Sequence, residues 1–462
     1  MRSYPPSIEK AAYKIKTGKL SPVELTQAYL ARAKESQPKF NAFVLITAKS
    51  ALREAKTAER EILDGRYRGP LHGIPVAVKD LCDMKGLPTT ASSKVRRGHR
   101  ARADSAVVER LRAAGAIIIG KTHTHEFALG AITPTTRNPW GKNRIPGGSS
   151  GGSGAAVAAG VCLGAIGTDT SGSIRIPASV CGTVGLKPTF GRISRFGITP
   201  ESWSFDHAGP MTRHVHDAAI MLNALAGHDP RDPGSADVYA PDFLKGINRG
   251  AKGLRLGVPT NLFFDGIDSD VEAAVRQAFE HLRRQGAKLV QVSLPLSEHY
   301  RSVTDGVCLP ETAAYHQDML RRRANSYTGE SRTWLEAGEY VLATDYIRAL
   351  RVRQLIKDAW REMFRNIDAL VAPTLPATAA KVGQNEFRWP DGTKESLVDA
   401  YVRTSCPASV TGLPAISVPC GFVGGLPVGL QVVGRPFDEA LVLRVAQAYE
   451  ATTEWHNSVP AI

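Results

Sequence analysis

The stretch Pro146–Ala178, PGGSSGGSGAAVAAGVCLGAIGTDTSGSIRIPA, decides how the rest of the chain reads. Two glycine- and serine-rich loops flank an apolar run of small residues, VAAGVCLGAIG at Val157–Gly167. Glycine allows close backbone approach and positive φ. A flexible linker is the plain alternative for such a composition, but the middle of this stretch is too apolar to stay solvated. What remains is a buried helix, about Gly152 to Cys162, then a short strand into Gly167-Thr168-Asp169, with a serine-bearing loop at each end. Serine is a weak nucleophile until a base activates it. In the second loop, Thr170, Ser171, Gly172 and Ser173 form a small-residue turn whose backbone N–H groups can converge on one point, as in an oxyanion site.

Outward from this stretch, Ile74-Pro75-Val76-Ala77-Val78 reads as an apolar strand ending in Lys79. A helix around Ala106 to Ala114 and the strand Ala116–Ile119 follow, which is the strand–loop–helix–strand order of an α/β protein. Residues 7 to 62 read as helical, opened in part by the capping box Ser21-Pro22-Val23-Glu24. Residues 210 to 230 and 308 to 366 also read as helices. Leu254–Pro259, Leu289–Leu294 and Ala369–Ala372 read as strands, and Ile416–Pro419 with Val428–Val433 as a hairpin. Residues 377 to 398 read as an irregular loop, and a helix over Glu439–Thr452 closes the chain. The expected fold class is α/β, a large mixed β-sheet core covered by helices on both faces. No repeat or linker divides it. The expected organisation is a single domain over 1–462, with a helical segment at 1–62 on the core and the chemistry in 73–194.

Composition narrows the function. The 462 residues are 43% hydrophobic and 22% charged, a globular balance. No apolar run reaches the roughly 18 residues of a membrane span, and the first residues lack the apolar core of a secretory leader. The six cysteines form no CxxC pair, which points to reduced thiols in a cytoplasmic protein. The net charge of +14 raises the question of a nucleic-acid partner. The densest basic run, Arg96, Arg97, His99, Arg100 and Arg102, has no interleaved aromatics and no nucleic-acid module, so a solvated surface is expected there. Neither a nucleic-acid nor a membrane partner is expected.

Four segments carry a resemblance: GIPVAVKD (73 to 80), PGGSSGGSGAAVAAG (146 to 160), GTDTSGSIRIPASVCGTVGLKPTFGRIS (167 to 194) and GLPAISVPCGF (412 to 422). Through them the chain resembles the amidase signature family of serine hydrolases, from roughly Ser21 to Glu450. The resemblance implies a Ser–cisSer–Lys triad with Ser173 as nucleophile, Ser149 as bridging serine after a cis Gly148–Ser149 peptide, and Lys79 as base. It places the oxyanion donors on the N–H groups of Thr170, Ser171, Gly172 and Ser173, and Phe127, Ala128 and Leu129 along the substrate pocket, with Trp203 as a further lining candidate. A lysine acts as base only when neutral. Its reference pKa is about 10.4, and burial at the end of an apolar strand lowers it. Many members carry two glycines before the nucleophile where this chain has Ser171-Gly172. Asp169 and Arg175 are expected to order the loop. No cofactor is implied, and the substrate is a small-molecule amide; a homodimer is allowed.

Two alternatives remain open at this point. The family includes the amidase-like glutaminase subunit of a tRNA-dependent amidotransferase, whose pocket carries an acidic residue shortly before the GLPAIS segment. Here Tyr401–Pro407 holds no acid and Asp399 is the nearest, which favours a free-standing amidase. The other alternative is a metal-dependent amidohydrolase using His123 and His125. An HExxH site fails because Leu129 stands where the second histidine belongs.

Overall fold

The computed structural model describes residues 7–461. The strands are β1 (Phe43–Ile46), β2 (Pro75–Lys79), β3 (Ile117–Thr122), β4 (Gly164–Asp169), β5 (Val184–Lys187), β6 (His207–Thr212), β7 (Arg255–Pro259), β8 (Lys288–Val292), β9 (Ala369–Pro373), β10 (Glu386–Arg388), β11 (Lys394–Ser396), β12 (Ala415–Val423) and β13 (Leu426–Val433). Among the described residues, eleven of them form one sheet in the order β1-β3-β2-β4-β6-β5-β12-β13-β9-β7-β8, and β10–β11 is a separate hairpin. The sheet is mixed: β3-β2-β4 and β9-β7-β8 are parallel, and the strands between β4 and β9 pair antiparallel.

Parallel strands are covered on both faces, so they carry unbroken apolar runs rather than alternation. β2, PVAVK, is buried at every position, its terminal lysine included. The small-residue helix spans Gly151–Ala158 and packs on β4 and β2. Its glycines are needed for close approach, since a Cβ on Gly152 would stand 2.5 Å from His123 O and 2.6 Å from Ala42 O. The helix Arg175–Cys181 packs on β5, β12 and β13, and Val215–Leu225 packs on β6. A contiguous apolar core runs from Ile8 in the first helix to Tyr449 in the last.

Three expectations need correction. Residues 43 to 46, inside the segment read as helical, form edge strand β1 against β3. FVLI is aromatic and β-branched, and Asn41 at φ 49° ends the preceding helix with a left-handed cap. Within 210 to 230, β6 reaches Thr212 and the helix begins only at Val215. The segment 377 to 398 is not wholly irregular, because it contains the β10–β11 hairpin and the start of a helix over Leu397–Thr411.

Candidate active site

β2 lies between β3 and β4, so the side chain at its C-terminal end cannot reach water, and Lys79 is fully buried. Its Nζ donates to Ser149 Oγ at 2.7 Å and to Thr168 Oγ1, on neighbouring β4, at 2.7 Å. Burial drives the Lys79 amine down to about 7, against the pull of the Glu201, Asp206 and Asp169 carboxyls.

The loop that presents Ser149 is held by its backbone. The Gly148–Ser149 peptide is cis. Ser149 O accepts from His125 N–H at 3.0 Å and from Thr133 Oγ1 at 3.1 Å. A Cβ on Gly148 would sit 2.6 Å from the Ala131–Ile132 backbone, so no other residue fits there. Ser150 ties this loop to the next: its hydroxyl donates to Thr168 O at 3.0 Å and accepts from Thr168 N–H at 3.1 Å, and its own N–H donates to Ser173 O at 3.2 Å.

The second loop is ordered by an ion pair. Arg175 Nε and Nη2 donate to Asp169 Oδ2 and Oδ1 at 3.0 and 2.9 Å, with both side chains at zero exposure. Burial opposes the Asp169 charge, but the Arg175 guanidinium overrides it and holds the carboxyl well below its usual range. Asp169 also accepts the N–H groups of Gly172 (2.8 Å) and Ile174 (3.2 Å). Of the four N–H groups expected to form the cradle at 170 to 173, that of Gly172 thus donates to Asp169 in this structure. Gly172 is irreplaceable for another reason. It sits at φ +135°, and a Cβ there would lie 2.1 Å from Ser405 Oγ.

Ser173 is 8% exposed and opens on a cleft. Ala128, Leu129, Ser171 and Ile176 line one side of it, and Thr304, Cys308 and Val402, from the helices Tyr300–Arg323 and Leu397–Thr411, line the other. Of the three neighbours expected along the pocket, Ala128 and Leu129 thus face this cleft and Phe127 does not. Phe127 is completely buried, with its ring edge-on to His316 at 4.4 Å between centroids and tilted against Tyr327, so it supports the cleft from behind. Trp203 also departs from expectation. It is 44% exposed and borders the adjoining cavity, beside Arg195 and Asp232, rather than the cleft at Ser173. The reason is the compact loop before β6, in which Asp206 accepts the N–H groups of Glu201 and Ser202 and leaves the indole pointing outward.

The two histidines diverge. His123 Nδ1 pairs with Ser92 Oγ at 3.2 Å, and His125 Nε2 faces Glu330 at 3.5 Å. Among the described residues no three His, Cys, Asp or Glu side chains gather as a metal-binding set. Thr168, Glu201, Arg301 and Asp305 border the site and are not among the residues expected from the sequence. Thr168 had a signal, since it sits within the GTD segment one residue before Asp169.

Comparison with known proteins places the chain among amidases. A family model described as Amidase matches residues 24–443. An amidase of Pseudomonas putida is 49% identical over 458 residues, covering 99% of this chain and 98% of that protein. A glutamyl-tRNA(Gln) amidotransferase subunit of Chloroflexus aurantiacus is 41% identical, covering 99% of this chain and 98% of that protein. Among solved structures, native peptide amidase from Stenotrophomonas maltophilia superposes with a TM-score of 0.86 at 33% identity, covering 97% of each chain.

Proposed function

The chain belongs to the amidase signature family and is a hydrolase of carboxylic acid amides; from this we propose that Ser173 attacks the amide carbonyl while Ser149 relays its proton to Lys79. The observation that carries the assignment is the 2.7 Å contact between Lys79 Nζ and Ser149 Oγ, in a pocket sealed from solvent next to the loop that bears Ser173. A buried ammonium is disfavoured, so the lysine is available as the neutral base that a serine nucleophile requires. The N–H groups of Thr170, Ser171 and Ser173 receive the oxyanion of the tetrahedral intermediate. As it collapses, the relay runs in reverse and protonates the leaving nitrogen, giving ammonia or an amine and a seryl ester. Water activated by the same relay then frees the acid.

The free-standing amidase is the better reading over the glutaminase alternative. Asp399, the acid nearest the GLPAIS segment, is engaged by Ser396 at 2.6 Å and by Arg301. The contiguous apolar core supports treating 1–462 as one domain with the first helices packed on it. The six cysteines, all free and buried, fit a reducing compartment such as the cytoplasm. No helix among the described residues is long and apolar enough to cross a membrane.

Acid or ammonia release from a panel of aliphatic, aryl and carbamate amides, followed against pH, tests this assignment. With Lys79 lowered to about 7, the base is protonated and inactive below that value and neutral above it. The value of kcat/KM should therefore climb about tenfold per pH unit on the acid side and level off above roughly pH 7 to 8. A profile flat from pH 5 to 9 in the chemical step removes Lys79 from the general-base role.

A further inference from the structure

Two cavities meet at Glu201. One is the cleft that holds Ser171 and Ser173; the other has Thr168, Asp206 and His207 on its wall. Thr168 is the residue whose hydroxyl accepts from Lys79 Nζ. Glu201 is also the carboxyl that acts most strongly on Lys79, so it lies toward the lysine, from which the leaving nitrogen would receive its proton.

The backbone fixes this residue in place. Its N–H donates to Asp206 Oδ2 at 2.9 Å, and its carbonyl accepts from Thr312 Oγ1 at 2.8 Å. Its Oε2 is shut off from solvent and has no hydrogen-bond partner among the described residues. Buried polar oxygens are nearly always paired, and leaving one open is costly. Thr170 lies near enough to favour the Glu201 charge, but its hydroxyl donates to Asp206 Oδ1 at 2.6 Å. Burial, aided by the charge of Asp206, pushes the Glu201 carboxyl up to about 8. That open oxygen is free to accept a hydrogen bond from a donor brought by the substrate.

We infer that Glu201 accepts a hydrogen bond from the scissile N–H of the substrate, and so selects amides that carry an N–H over esters and over fully N-substituted amides. This rests on the proposed attack by Ser173, since it places the scissile bond between that residue and the Lys79 side of the cleft. A carboxamide nitrogen with a hydrogen satisfies the open oxygen; an ester oxygen sets a second acceptor against it. Sites built to pair a substrate N–H reject the analogue that lacks it.

The test compares kcat/KM for hexanamide, N,N-dimethylhexanamide and methyl hexanoate, with the acetyl and benzoyl counterparts, in the wild type and in Glu201→Ala and Glu201→Gln. The expected result in Glu201→Ala is a fall of about tenfold or more in the ratio of primary to N,N-dimethyl amide activity. Glu201→Gln, whose carboxamide oxygen accepts from the same position, should recover most of that ratio. Any influence of Glu201 on the proton affinity of Lys79 acts alike on the primary and N,N-dimethyl amides, whose leaving nitrogens both take the relay's proton, and cancels in that ratio. Glu201→Leu, close in volume and without an acceptor, repeats the measurement if circular dichroism shows the alanine variant misfolded. Equal loss on the primary and N,N-dimethyl amides, which leaves their ratio unchanged, overturns the inference. The ratio does not depend on which residue attacks, whereas labelling of Ser173 does, so the two readings fail separately. If the wild type releases acid from none of these probes, the small-amide reading itself is overturned, with no variant needed.

Discussion

Ser173→Ala should lower kcat/KM on every accepted amide by about 10³-fold or more, because members of a nucleophile–relay unit lose nearly all of its contribution together. The fold should survive the change. The internal bond that Ser173 makes across the site is through its backbone, with Ser173 O accepting from Ser150 N–H, and alanine keeps it. The loop geometry rests on Asp169 and Arg175, which the substitution does not touch. The check is steady-state hydrolysis beside thermal unfolding of the same preparation. A folded variant with wild-type turnover would remove Ser173 from the chemistry.

The second large effect lies in the relay. Lys79→Met and Ser149→Ala should each cost about 10²- to 10⁴-fold, the usual contribution of a positioned base. Methionine suits the test because it fills the buried space of the lysine without an amine. The two losses should not add. Lys79 Nζ reaches Ser149 Oγ directly at 2.7 Å, so either substitution breaks the same proton path and the double variant has little left to lose. A double variant whose logarithmic loss equals the sum of the two single losses would show that the residues act independently.

Much of this site is written into local sequence. The glycine and serine loops around a run too apolar for a linker predict a buried small-residue helix, and Gly151–Ala158 is that helix. The apolar strand alone does not single out Lys79, since a terminal lysine can snorkel to water; the serine loops and the family motif do, and the structure buries it at the end of β2. Ala128 and Leu129 follow from the family motif. Their neighbour Phe127 does not, because a positive φ of 51° at that position turns the ring away into the His316 and Tyr327 cluster.

The opposite wall of the cleft is illegible for a different reason. Arg301, Thr304 and Asp305 come from a helix more than a hundred residues beyond the nucleophile, and which of its faces meets Ser173 is a matter of tertiary packing. The helix Leu397–Thr411 is hidden by Pro407 in its interior and by its run of Ser, Thr and Cys. Its start carries a signal, since Ser396 Oγ accepts the Asp399 N–H at 3.1 Å in a Ser-x-x-Asp cap. Glu201 resembles any loop acid until the structure sets it between two cavities.

Active-site labelling with a fluorophosphonate, read by peptide mass spectrometry, tests the central assignment most directly. An activated serine displaces the fluoride and keeps the phosphonyl group, whereas an ordinary buried serine does not react. The account predicts a single modified peptide with the adduct on Ser173, loss of amide hydrolysis in proportion to labelling, and no labelling in Ser173→Ala or Lys79→Met. Full activity with Ser173 unmodified, or an adduct on another serine that tracks the loss of activity, would contradict it.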